Sequence, residues 1–195
     1  MILKDDFIAI LKDQAIDEQE IVQRYITHGS SFAFNEDDDK YFRLKKIIAD
    51  NFNLNPENVI MVGSAKLGFS IAPSKSWKSF DDESDIDMVI VSDVIFDEFW
   101  IDLYDFNLEL TDRTEEEQKR FSKFLNYFFK GWLRPDLFPF SYNKKDEWFD
   151  FFRDVSYGEF GKRKITGAIF RNYYFYEKYH IKNLKNIRYG GLING

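Results

Sequence analysis

The chain has 195 residues, enough for one domain with a substantial core, and its 44% hydrophobic and 31% charged residues are those of a folded soluble protein. It contains no cysteine and only His28 and His180, which excludes disulfides, thiol catalysis, Cys-ligated zinc and a multi-His metal centre. Net charge is −7, but Lys144 to Arg188 holds 11 Lys/Arg against 6 Asp/Glu, so an acidic body carries a basic end.

The opening MILKDDFIAILKD is acidic and amphipathic, without the basic-then-apolar order of a secretory signal. With no cysteine, and no apolar run approaching ~18 residues, it predicts a cytoplasmic protein with no membrane span. Phe7, Ile8, Leu11, Ile21, Val22 and Ile26 recur at helical spacing, predicting one or two helices over about 5–28. Asn35 is the expected N-cap of a further helix reaching about Phe52, with Asp37, Asp38 and Asp39 in its first turn. These three acids lack the glycine and terminal Glu of a calcium loop.

NLNPEN is a turn, and VIMVG after it a short buried strand. GSAKLGFS turns into a short helix, residues from about 72 to 83 read as a loop, and DIDMVIVS is a second strand. FDEFWIDLYDFNLEL fits either an amphipathic helix or an alternating strand. Thr114 before three glutamates is a capping-box start for a helix to about Trp132. RPDLFPFS is extended or looped because of its prolines. DEWFDFFRDV is a short amphipathic piece, and ITGAIFRNYYFYEKYHIKNLKNIR closes the chain as one long helix. No repeat or linker divides the chain, so a single domain is expected: a core at about 36–143 and a helical, basic C-terminal part at about 144–195. The 22 Phe, 11 Tyr and 4 Trp are first of all core material.

Chemistry concentrates in two stretches, MVGSAKLG and SDIDMVIV. Residues i and i+2 of a strand share a face, so Asp85 and Asp87 project together while Ile86 faces the other way. Two neighbouring carboxylates repel and raise one another's pKa unless a cation lies between them. Mg²⁺ suits such a pair, because it takes carboxylates together with phosphate oxygens and water. Gly63 permits close backbone approach to a phosphate, and the Ser64 hydroxyl can bind phosphate oxygens. The plain alternative is a strand start with exposed acids.

The order of hydrophobic strand, Gly-Ser, short helix, Gly68 and hydrophobic-flanked Asp-x-Asp resembles the nucleotidyltransferase superfamily of the polymerase-beta type. The resemblance spans about residues 58–92. It implies an α+β fold, with a small mixed sheet flanked by helices. It also implies Mg²⁺ or Mn²⁺ on Asp85 and Asp87, an NTP donor (ATP first) on Gly63, Ser64 and Lys66, and transfer of an NMP group. The acceptor could be a nucleotide, RNA, a protein or a small molecule. A small member of this kind would be a toxin–antitoxin or phage-defence component, or an antibiotic-modifying relative, with a partner protein or a second copy as company.

The chain departs from the family pattern in two ways. A long insert, SIAPSKSWKSFDDE, separates Ser64 from Asp85, and its Lys75 and Lys78 could touch phosphate. The family's third carboxylate, the base for the attacking hydroxyl, has no clean counterpart. Asp102, Asp105, Glu109 and Asp136 are the candidates, with Asp136 first. A chain lacking such a base would bind nucleotide, RNA or a partner without turnover. In the basic end, Lys162, Arg163, Lys164 and Arg171 could clamp phosphates, with Tyr173, Tyr174 and Tyr176 as stacking surfaces. A solvated helix start and a core aromatic stripe are the alternative.

Overall fold

The computed structural model describes residues 1–35, 37–72, 75–110, 112–139, 141–161 and 163–190. Helix α1 (Lys4–Lys12) is followed by α2 (Glu18–Ile21), which Asp17 caps by accepting the Gln19 N–H at 3.0 Å and which runs on into a π-helical segment, Val22–Thr27. Helix α3 (Asp38–Asn51) is capped by Asp37, whose carboxylate accepts the Lys40 N–H at 2.8 Å. Asn35, the expected cap, instead adopts a left-handed conformation at φ 50° as it closes a 3₁₀ turn over Phe32–Phe34. An asparagine tolerates that region, and the next suitable carboxylate takes over the cap.

Strand β1 (Val59–Val62) leads into the short helix α4 (Gly63–Leu67), and β2 (Ile86–Val91) into α5 (Asp93–Glu109), capped by Ser92. The ambiguous stretch after β2 is therefore helical. Helix α6 (Glu115–Phe128) begins with the expected capping box, Thr114 and Glu117 bonding reciprocally. Strand β3 (Trp132–Leu133), a 3₁₀ turn at Pro135–Leu137 and α7 (Asn143–Ser156) follow.

The basic end departs from expectation. Residues Ile165–Phe170 form a strand, β4, and only Tyr173–Tyr189 form the closing helix, α8. Gly167 is a poor helix residue. Asn172 breaks the run in extended conformation and caps α8 by accepting the Phe175 N–H. The sheet order is β1-β2-β4-β3, with β2 and β4 parallel and both edge pairs antiparallel, so the last strand in sequence is central in space. The C-terminal part is thus built into the sheet rather than added to it, and the fold is α+β.

Strand alternation sends side chains to two cores. Met61, Ile86, Met88, Ile90, Ile165 and Ile169 face helices α3, α5, α6 and α7. Ile60, Val89, Val91 and Phe170 face α1, α8 and the π-helical segment. Aromatic rings fill both cores, as in the stacked pairs Phe96–Phe128 at 5.2 Å and Trp132–Phe170 at 5.4 Å.

At Gly167 the ring of Phe152 on α7 packs directly on the strand backbone. A Cβ added there would sit 2.1 Å from the ring of Phe152, itself buried in a packed core. Gly167→Ala is expected to cost about 1–3 kcal/mol through overpacking, read as a lower urea midpoint with an unchanged m-value.

Candidate functional site

Asp87 has the same strand parity as Val89 and Val91, so it continues their face of β2 beyond the point where the apolar core ends. Asp85 lies just before the strand, and Ile86 between them is fully buried on the opposite face. On one side of β2, Val62 of β1 pairs with Asp87, and the chain turns at once through Gly63 into α4. Gly63 holds φ at +68°, a conformation that favours glycine. A Cβ placed there would stand 3.5 Å from Asp87 Oδ2. The Gly-Ser and Asp-x-Asp halves, a long insert apart in sequence, therefore meet in space.

On the other side, β4 sets Thr166 opposite Asp87, and the Thr166 hydroxyl donates to Asp87 Oδ1 at 2.7 Å. Lys164 Nζ lies 3.2 Å from Asp85 Oδ2. The Lys164 side chain is 70% exposed, so this ion pair is weak and readily exchanged. Asp87 is crowded by protein on most sides yet open to solvent. Its pKa is raised, first by desolvation and further by the charge of Asp85, while the Thr166 hydrogen bond and the charges of Lys164 and Lys75 oppose the rise.

Asp85 and Asp87 supply the donor type that Mg²⁺ and Mn²⁺ take, one or two carboxylates with the shell completed by water and phosphate oxygens. A dication would relieve both the mutual repulsion and the raised Asp87 pKa. Among the described residues, no group of three or more His, Cys, Asp or Glu side chains could hold a metal ion. Asp136 is not gathered with the pair. It forms a two-pronged ion pair with Arg134, at 3.0 and 2.8 Å.

Several residues expected on phosphate are committed elsewhere. Lys66 is 3% exposed, with Nζ bonded to the Gly29 carbonyl and 5.4 Å from the Tyr41 ring centroid. Burial, helped by the charge of Lys45, pushes its pKa down to about 8. Arg163 bonds the Asp81 carbonyl at 2.6 Å and Asp82 at 3.0 Å, tying down the loop that leads into β2. Arg171 pairs with Asp97, and Lys78 with Asp81. Lys162 lies outside the described residues. Tyr176 is fully buried and Tyr173 bonds the Glu57 carbonyl, leaving Tyr174 as the most exposed of the three tyrosines. Ser64 is half-buried at the start of α4.

Thr166 is the site residue that sequence reading misses, and Lys164 lies just before a central strand rather than at a helix start. The signal was the apolar spacing of Ile165, Gly167 and Ile169 at period two. Comparison with family models, curated proteins and solved structures yields no match to this chain.

Folding raises the Asp87 pKa, so the folded chain binds this proton more readily than the unfolded chain. The group's contribution is then most favourable in acid and declines as pH rises through the raised value. Asp87→Asn, which still accepts from Thr166, is expected to melt higher than the wild type at neutral pH and to lose that margin below about pH 4. Thermal melts across that range, with and without Mg²⁺, check it. Mg²⁺ should raise the wild-type midpoint and leave the variant's unmoved.

Proposed function

We propose that this protein is a divalent-metal-dependent nucleotidyltransferase, moving an NMP group from an NTP, ATP first, to a hydroxyl acceptor that can be a nucleotide, RNA, a protein or a small molecule. The observation that carries the reading is the approach of Gly63 to Asp87. It puts a glycine turn that can admit phosphate beside paired carboxylates that need a cation. Asp85 and Asp87 would hold Mg²⁺ or Mn²⁺, and the ion when bound neutralises charge on the reacting phosphate. Gly63 and Ser64 would seat the triphosphate, and Lys75, whose charge is felt at Asp87, would lie near it. Lys164 would exchange its carboxylate partner for a phosphate oxygen as the cation takes over Asp85. The reading places the protein in the cytoplasm, where NTPs are. No helix among the described residues is long and apolar enough to cross a membrane.

One observation favours a second reading, nucleotide binding without turnover. Next to the acid pair, β4 presents Thr166 to Asp87, and Lys164, the residue just before that strand, faces Asp85; neither serves as a carboxylate base, and Asp136 is held by Arg134.

Incubation with α-labelled NTPs, Mg²⁺ or Mn²⁺ and candidate acceptors separates the two. The first reading expects label transfer that falls roughly 100-fold or more in Asp85→Ala. The second expects metal-dependent NTP binding, lost in the same variant, with no labelled product. Neither transfer nor binding, in wild-type protein that melts cooperatively, defeats both.

A further inference from the structure

Among the described residues, helix α5 carries an unpartnered apolar stripe on its outer side. Val94, Ile101, Tyr104 and Leu108 fall at i, i+7, i+10 and i+14, which is coiled-coil spacing, and each is more than half exposed. Asp97 fills the remaining position of that repeat and is neutralised by Arg171 at 2.9 and 3.0 Å. Trp100, 46% exposed, borders the stripe on the side where its ring meets Phe128 of α6 at 5.1 Å. Along the opposite border, Glu98, Asp105 and Glu109 form an exposed row at i, i+7 and i+11. None of these three makes an ion pair among the described residues. An exposed apolar stripe edged by charge, with its one acid neutralised, is the mark of an interaction site.

The charge selects the occupant. Helix α5 has six acids and no Lys or Arg. Asp97 and Asp102 are paired with Arg171 and Lys144, but laying α5 against α5 of a second copy still sets Asp93, Glu98, Asp105 and Glu109 against the same four acids, which disfavours that pairing. An anionic lipid surface is repelled for the same reason. A helix with apolar residues at coiled-coil spacing and a flanking row of Lys or Arg satisfies both the stripe and the acids. The stripe from Val94 to Leu108 spans about 21 Å, four helical turns, so a short segment covers it.

We propose that the outer face of α5 docks a basic amphipathic helix of a partner protein, gripping its apolar side with Val94, Ile101, Tyr104 and Leu108 and its cations with Glu98, Asp105 and Glu109. The inference is independent of the nucleotide reading, since none of these residues touches Asp85, Asp87 or Gly63.

The test uses the full-length protein and two synthetic helical peptides of matched apolar pattern, one with Lys and one with Glu at the flanking positions, measured by calorimetry. The Lys peptide is expected to bind at least about tenfold more tightly than the Glu peptide, and less tightly as salt rises. Ile101→Asp with Leu108→Asp should weaken the Lys peptide about tenfold or more, with an unchanged melting temperature. A Glu98→Lys, Asp105→Lys, Glu109→Lys triple variant should reverse the preference. The proposal is overturned if the Lys peptide fails to bind, if both peptides bind alike, or if Ile101→Asp/Leu108→Asp leaves affinity intact. It is also overturned if light scattering shows a dimer that this double variant splits, because a second copy is then the occupant.

Discussion

The pairing of β2 between β1 and β4 governs everything at the site. Because a strand alternates its side chains, fixing Val89 and Val91 in the core leaves Asp87 no choice of face. A slip of one residue would drive both aspartates into the helices packed on the other side, at a cost no local hydrogen bond offsets. The register that buries the apolar residues is thus the same register that presents the acids beside Gly63 and Thr166. Core packing and site geometry are one constraint here.

Both acids are supported by groups that come cheaply from the neighbouring strand. Thr166 offers a neutral donor to Asp87, and Lys164 a loosely held cation to Asp85. Neither is strong enough to make the pair self-sufficient, as the raised Asp87 pKa indicates. A fully satisfied pair would have little affinity left for a dication, and an unsupported one would strain the sheet. The arrangement lies between these limits, as the proposed binding and release of a charged ligand requires.

The aspartate face and the Gly-Ser turn were legible because both follow from period-two alternation and from glycine's conformational range. The Thr114 capping box was legible because it is a local pattern with a local bond. β4 was not. Gly167 lies inside it, but no glycine or proline separates Phe170 from Tyr173–Tyr189, and the stop is a single Asn172 whose backbone turns extended. The fate of the cations was hidden for a different reason. Arg163 meets Asp82, and Arg171 meets Asp97, across 81 and 74 positions. Lys66 defies the usual exposure of lysine through contacts with Gly29 and Tyr41. Spacing arguments reach a few turns of helix or one strand, and these partnerships lie beyond that range.

The late position of β4 also shapes how the molecule is made. During synthesis β1 and β2 emerge early, yet β2 keeps one edge open until residues 165–170 leave the ribosome. An apolar strand with an unpaired edge invites wrong partners while it waits. Parallel pairing between distant segments is also slow to form. The sheet is therefore completed only once β4 has emerged, and a nascent chain cut short before β4 would leave that apolar edge of β2 open to the cell.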